Sequence, residues 1–269
     1  MTRVLGTQLF AGDDAPAAVL ISDLHVPADG GAVVAHLDAA LRAAAAAQAK
    51  VFVLGDLFDS YVSARQVRTG VWRDVAARFA AATAAGTEIV LLHGNRDFLL
   101  GPEFTAASGV RLVPGGLQVR LAGVPTLLLH GDELCQNDVP YQRAKRWLRH
   151  PCTRALARRL PLRWALAAAA RARARSQAVV QAGDQTRFLP TISAVGAALA
   201  ASGGRLVFGH IHHFAHGEMA GRHYWVLPAF DADPIGLWAS DGRLEPVRFE
   251  PSGHWARVPT PRPCPLAAS

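Results

Sequence analysis

The stretch Ala18-Val-Leu-Ile-Ser-Asp-Leu-His25 runs four aliphatic residues straight into Asp23 and His25, two side chains able to ligate a metal ion. Four more segments repeat the design: Val51-Phe-Val-Leu-Gly-Asp56, Glu88-Ile-Val-Leu-Leu-His-Gly-Asn95, Thr126-Leu-Leu-Leu-His-Gly-Asp132 and Arg205-Leu-Val-Phe-Gly-His-Ile-His212. Short runs that are apolar throughout, rather than alternating, mark strands buried on both faces. Between the first three lie helical patterns over residues 32–48 and 66–85, the second stopped by Gly86. Further strands are expected at 117–121 and 224–227, with a hairpin over 236–249 turned by Asp241-Gly242. This alternation of strand and helix predicts an α/β layered domain.

At 269 residues and 51% hydrophobic content, the chain can bury a full core and has room for one large domain with a small appendage. Charge shows where the appendage lies. The formal net charge is +7, yet eleven Lys or Arg and no Asp or Glu stand between Tyr141 and Arg175, leaving 17 basic against 21 acidic residues elsewhere. Within that stretch Pro151 and Pro161 stand where helices would start. We expect a small basic helical cap inserted at 141–189, a core made of 1–140 and 190–258, and a disordered tail at 259–269, whose composition offers little to bury.

Cys135, Cys152 and Cys264 are odd in number and lack Cys-x-x-Cys spacing, which argues against a disulfide framework or a structural zinc site and fits a reducing cytosol. No apolar run approaches the ~20 residues of a membrane-spanning helix. The first strand also begins too early to leave room for a signal peptide. Both features point to a cytoplasmic protein.

Ligands of open α/β sheets gather beyond the carboxyl ends of strands, because several strands deliver side chains to one edge. Every motif here stands at such an end: Asp23 and His25, Asp56, Asn95, His130, and His210 with His212. Two divalent ions roughly 3.5–4 Å apart, polarising a phosphoryl oxygen and activating the attacking water, need one bridging carboxylate and a shell of further donors. At i and i+2 of a strand, Asp23 and His25 would share a side and chelate one ion, and His210 and His212 would reach neighbouring ions. Asn95 offers a neutral amide oxygen. Oxygen and imidazole donors without thiolate suit Mn, Fe or Zn better than Mg or Ca. Taken singly, Asp-x-His and His-x-His are common chance pairs and Gly-Asp usually marks a turn. Five of them in order, each behind an apolar strand, are not a chance arrangement.

The order D-x-H, G-D, G-N-R-D, H-G-D, G-H-x-H resembles the calcineurin-like metallophosphoesterase superfamily from about Val19 to Phe249. The resemblance implies a four-layer αββα sandwich, two mixed sheets packed between helices, carrying the helical cap as an insertion. It also implies one metal held by Asp23, His25, Asp56 and His212, and a second held by Asp56, Asn95, His130 and His210.

That superfamily usually places histidine after the asparagine, as a general acid for a poor alkoxide leaving group. This chain has Arg96. Arginine cannot donate a proton at neutral pH but clamps phosphate oxygens bidentately, which suits a leaving phosphate with a second pKa of ~6. Cleavage of a diphosphate follows as the expected reaction.

The strings Gly94-Asn-Arg-Asp-Phe-Leu-Leu-Gly101 and His130-Gly-Asp-Glu-Leu-Cys-Gln-Asn-Asp138, followed by Tyr141, are similar to the UDP-2,3-diacylglucosamine diphosphatase family of lipid A synthesis. The resemblance implies manganese-dependent release of UMP and 2,3-diacylglucosamine 1-phosphate by a cytoplasmic enzyme bound peripherally to the inner membrane. Its partners would be the lipid-linked UDP-sugar and the membrane surface, with no nucleic acid, and the chain would be a monomer. Asn95, Arg96 and His210 would touch the diphosphate, and Asp138 and Ser176 the acylated sugar. Trp147, Leu148, Leu156, Leu160, Leu162, Trp164 and Leu166 would cover acyl chains while the arginines face anionic headgroups; the plainer alternative packs those apolar residues against the core.

Past Ser176 this chain departs from the family's pattern, with Val180 and Gly183 where asparagine and lysine are usual. Another nucleotide diphosphate or a phosphodiester is therefore the alternative substrate. A nuclease would use the basic cap for nucleic-acid backbones, but Arg96 and the few interleaved aromatics, Tyr141, Trp147 and Trp164, speak against it. A non-catalytic scaffold predicts lost ligands, and none is lost.

Overall fold

In the computed structural model all five apolar runs are strands. The structure describes residues 2–159, 161–182 and 185–268, with the side chains of 158, 159, 173, 175–182 and 185 outside the description. The first half of the chain runs β1 (Arg3–Val4), β2 (Thr7–Ala11), β3 (Ala18–Ile21), α1 (Val33–Ala46), β4 (Lys50–Val53), α2 (Gly70–Ala84), β5 (Ile89–Leu92), α3 (Pro102–Ser108), β6 (Arg111–Val113), β7 (Gly116–Leu121) and β8 (Val124–Leu128). Then come α4 (Val139–Leu148), α5 (Pro151–Arg159), α6 (Leu162–Ala182), α7 (Ile192–Ser202), β9 (Arg205–Phe208), β10 (Ala215–Met219), β11 (Arg222–Val226), β12 (Ile235–Ser240), β13 (Arg243–Phe249) and β14 (Trp255–Arg257).

The strands form two sheets of mixed direction, ordered β1-β2-β7-β8-β9-β11-β10 and β14-β13-β12-β3-β4-β5-β6. Strand alternation shows how they stack. In β3, Val19 and Ile21 pack with Val33, Leu37 and Phe79 of α1 and α2, whereas Ala18 and Leu20 pack with Leu117, Leu128 and Val207 of the other sheet. Leu127, Leu206 and Phe208 turn the opposite way, onto Val195, Ala198 and Leu199 of α7. Helices, sheet, sheet and helix thus make the four-layer αββα sandwich, and the continuously apolar runs are explained: each central strand has a buried face on both sides.

Register brings the motifs together. Strands β3, β4 and β5 are parallel neighbours in one sheet, and β8 and β9 are parallel neighbours in the other. Their carboxyl ends open onto one edge of the sandwich, so five loops meet there.

Helices α4, α5 and α6 occupy the basic stretch read as an insertion. Both prolines act as expected, Pro151 opening α5 and Pro161 standing just before α6. The C-terminal residues contradict the expected disorder. Ala267 pairs with Thr191 in a parallel bridge, its N–H donating to Pro190 O at 2.9 Å and its carbonyl accepting from Ile192 N at 3.0 Å. Cys264 and Ala267 are buried, and Leu266 packs beside Cys264 on the cluster around α7. Their few apolar atoms suffice because an open backbone edge at residues 190–192 lies ready to pair with them.

Candidate metal centre

Asp23 and His25 lie beyond β3, which ends at Ile21, so strand alternation does not bring them together as the sequence reading expected. Left-handed backbone does. Asp23, His25, Asp56, His210 and His212 have φ of +54°, +43°, +52°, +71° and +53°. Non-glycine residues rarely adopt this conformation, and its gathering at one place is the strain found where a site is held in shape by its surroundings. Backbone bonds between loops hold it: Asp23 N–H donates to Gly55 O at 3.1 Å, His25 N–H to Asp56 O at 3.0 Å, and Gly209 N–H to His130 O at 2.8 Å.

Within this frame the predicted side chains converge. Asp23 Oδ2 accepts from Ser22 Oγ at 2.6 Å and from His210 N at 2.8 Å, which leaves Oδ1 facing inward. That Oδ1 lies 3.7 Å from His25 Nε2 and 3.4 Å from His212 Nε2. His25 Nε2 is also 3.4 Å from Asp56 Oδ2, and His130 Nε2 is 3.8 Å from Asp56 Oδ1. Asn95 Oδ1 sits between His130 Nε2 at 2.9 Å and His210 Nδ1 at 3.1 Å. All seven expected ligands are thereby in one cluster.

The cluster fits divalent ions. Asp23 Oδ1 and His25 Nε2 are buried with no hydrogen-bond partner, although unpaired buried polar atoms are costly. Donor atoms of Asp23, His25 and His212 lie within 4.8 Å of one another, as do those of Asp23, Asp56 and His130. Two buried carboxylates side by side call for positive charge between them. Oxygen and imidazole donors without a thiolate suit Mn, Fe or Zn.

Protonation in the metal-free chain expresses the same demand. Burial works against charge on His25, but the carboxylates of Asp231 and Asp56 overcome it and hold the imidazole at about 9. Burial likewise opposes charge on His130, and Asp56, Asp23 and Asp132 raise it nonetheless. His210 falls to about 4, through burial and the neighbouring His130. Burial would raise Asp56, yet His130 and His25 keep it lowered.

Several residues that the sequence reading did not assign complete the site. Asp231 Oδ1 stands 3.5 Å from His25 Nδ1, so it orients the ring whose other nitrogen faces Asp23. Asp97, the last residue of Gly-Asn-Arg-Asp, accepts from Gly94 N at 2.8 Å and Leu57 N at 2.7 Å, stitching the loops after β5 and β4. Burial and Asp56 push its carboxyl up to about 7. A signal for Asp97 was present in its motif; Asp231 follows β11 in no motif at all.

Arg96 is aimed at the same edge, its Nη1 2.9 Å from Asp59 Oδ1 and its Nε 3.3 Å from Asp56 Oδ2. A cleft of about 320 Å³ opens beside it, lined among others by His25, Asp59, Arg96, His212 and Asp231. Asp138 stands apart from the cluster in its contacts. Its Oδ1 caps α4 by accepting from Tyr141 N and pairs with Arg187 at 3.4 Å. Leu160, Gly183 and the side chains of Ser176 and Val180 lie outside the described residues.

The sandwich and the carboxylate, amide and imidazole cluster on its edge are those of a metallophosphoesterase. The model of the calcineurin-like phosphoesterase family matches residues 18–214, and the chain belongs to that family of hydrolases. Among curated relatives, the UDP-2,3-diacylglucosamine hydrolase of Ralstonia nicotianae is 35% identical to this chain, covering 84% of it and 91% of its own length. Proteins of the same name from Serratia proteamaculans (33% identical, 86% and 98% covered) and Pseudomonas aeruginosa (36%, 72% and 81%) align similarly. A solved cold-active protein tyrosine phosphatase aligns over 94% of this chain and 80% of its own at a TM-score of 0.46 and 13% identity.

Proposed function

We propose that this chain hydrolyses the pyrophosphate bond of UDP-2,3-diacylglucosamine to UMP and 2,3-diacylglucosamine 1-phosphate, as a manganese enzyme working at the cytoplasmic face of the inner membrane. The observation that carries the reading is the alignment of relatives named for this substrate along 91% and 98% of their own length. Arg96 agrees with it, because a phosphate departs from a diphosphate without needing a proton.

In this reading Asp23, His25, Asp56 and His212 hold one ion, and Asp56, Asn95, His130 and His210 the other. Bound there, the ions supply Lewis acidity at a phosphoryl oxygen and lower the pKa of the attacking water. Arg96, braced by Asp59 and Asp56, presents a planar fork to the diphosphate oxygens and balances the charge that develops on the leaving phosphate. Asn95 and His210 stand beside it. Asp138 has Oδ1 engaged by Tyr141 N and Arg187, so Oδ2 would meet a sugar hydroxyl, with Ser176 as its partner in binding the acylated sugar.

The helical cap supports a lipid substrate. Trp147, Leu156 and Trp164 are 76%, 65% and 64% exposed instead of being packed on the core, and they stand among arginines. Apolar side chains interleaved with basic ones suit an anionic membrane surface. Where α5 meets the core, an open groove of about 620 Å³ is lined by Leu100, Pro102, Ala106, Leu112 and Pro114 together with Arg111 and Arg154, a volume and lining that suit an acyl chain beside an anionic group. Among the described residues no helix is long and apolar enough to cross a membrane, so association with one would be peripheral.

The test is UMP release from UDP-2,3-diacylglucosamine by purified protein with Mn²⁺ and detergent, beside a His25→Ala control. Metal-dependent release that the control lacks is the expected result. Turnover of another nucleotide diphosphate or a phosphodiester, with none of the lipid, would overturn the substrate and keep the centre.

A further inference from the structure

Beneath α4 lies a group of charges outside the cluster of candidate ligands. Asp132, the last residue of His-Gly-Asp, is fully buried, and its Oδ2 meets three donors from one helix. Tyr141 Oη donates to it, Lys145 Nζ lies 2.8 Å away and Arg149 Nη2 3.3 Å away. Residues 141, 145 and 149 are spaced by four, so they stand on one face of α4 and its C-terminal cap. Gln142 adds bonds from its Nε2 to the carbonyls of Asp132 and Cys135. On the opposite side of the helix Trp147 is exposed.

The same face touches the metal centre on either side of Asp132. Arg149 Nη2 donates to Gly94 O at 3.2 Å, the carbonyl just before Asn95. Tyr141 stacks on His210, with ring centroids 6.4 Å apart and planes 25° from parallel. A buried carboxylate with its counter-charges is a poor source of net stability, but one whose partners all come from another segment fixes where that segment sits.

We propose that Asp132 is a positioning residue that locks the first cap helix over the metal centre, and through it sets the affinity for a substrate lying between cap and core. It touches neither the metal ligands' donor atoms nor the reacting phosphorus; it acts through Tyr141, Lys145 and Arg149. The inference rests on the lipid reading only for its last step, the effect on substrate.

The experiment uses the full chain with Mn²⁺ and compares Asp132→Asn, Lys145→Met and Lys145→Arg. Hydrogen exchange over Val139–Leu148 reads the anchor directly and needs no substrate. Kinetics on UDP-2,3-diacylglucosamine and bound manganese per chain read its consequence. For Asp132→Asn and Lys145→Met, exchange over α4 accelerates and KM rises about ten-fold or more while kcat and metal content stay within about three-fold, the pattern of lost ground-state positioning. Lys145→Arg restores the wild-type values. Unchanged exchange in both disruptive variants, or faster exchange with KM unmoved, would overturn the proposal; so would loss of bound manganese in step with activity in both, which would make the role one of supporting the ligands. Should Asp132→Asn not fold, Lys145→Met carries the test alone. Absence of UMP release by the wild type sinks the lipid reading and leaves the exchange measurement to decide the anchor.

Discussion

Gly209 abuts the carboxylate of Asp23: a Cβ added at Gly209 would fall 2.3 Å from Asp23 Oδ2 and 2.1 Å from Ser22 Oγ. Glycine precedes the first histidine of Gly-His-x-His because the backbone there must pass against the Asp23 carboxylate. Gly209→Ala should therefore push Asp23 out of place, with kcat/KM falling about 10²-fold, the scale of an ångström-sized misplacement. Circular dichroism should keep its shape while bound metal falls. An active Gly209→Ala enzyme with full metal content would show that the loop yields more easily than its packing implies.

Asp56 is the carboxylate with contacts to both halves of the cluster, His25 on one oxygen and His130 on the other. Asp56→Ala should abolish turnover, by about 10³-fold or more if each ion contributes several kcal/mol to the barrier. Elemental analysis should find fewer than the wild-type number of ions per chain, and added Mn²⁺ should not restore the rate. Retained activity would remove the bridging role.

Arg96 reaches Asp59 through Nη1 and Asp56 through Nε. An ammonium group cannot reproduce that planar fork. Arg96→Lys should keep its metal and lose about 10²-fold in kcat/KM, as removal of one aligned donor to a developing anion does. Equal activity in Arg96→Lys would mean that a positive charge alone is enough, and the geometric argument for diphosphate cleavage would lose its support.

The C-terminal segment offers a stability test. Removing residues 260–269 exposes the surface now covered by Cys264, Leu266 and Ala267 and leaves the Ile192 N–H and the Pro190 carbonyl without their backbone partner. The loss should be about 1–3 kcal/mol, read as a fall in Tm of about 2–10 °C. An unchanged Tm would indicate that the segment adds nothing measurable to the folded state.

What the sequence by itself determined is the central frame. Five apolar runs, each followed by its polar motif, specified the parallel strands, because a strand buried on both faces has no room for polar residues until it ends. They also picked out the side chains that converge: Asp23, His25, Asp56, Asn95, His130, His210 and His212 are the residues found facing one another. Arg96 was legible as a departure from the usual histidine. Edge strands such as β1, β10 and β14 were not legible, being short and partly or wholly exposed, with pairing supplied by a neighbour instead of by their own pattern.

Tertiary structure alone decided how these side chains meet. The sequence reading placed Asp23 and His25 on one side of a strand, whereas both lie past its end in left-handed backbone that only the interlocked loops hold. Asp231 and Asp132 act on His25 and on α4 across 206 and 9–17 positions of chain, distances over which no local pattern links a carboxylate to its partner. The tail was misjudged for the same reason. Its composition is too polar to fold alone, but a waiting backbone edge and a shallow apolar surface supply from outside what its own residues lack. Local sequence sets which segments can be strands and which side chains can bind metal; long-range packing sets which of them touch, since contact depends on surfaces that distant parts of the chain bring.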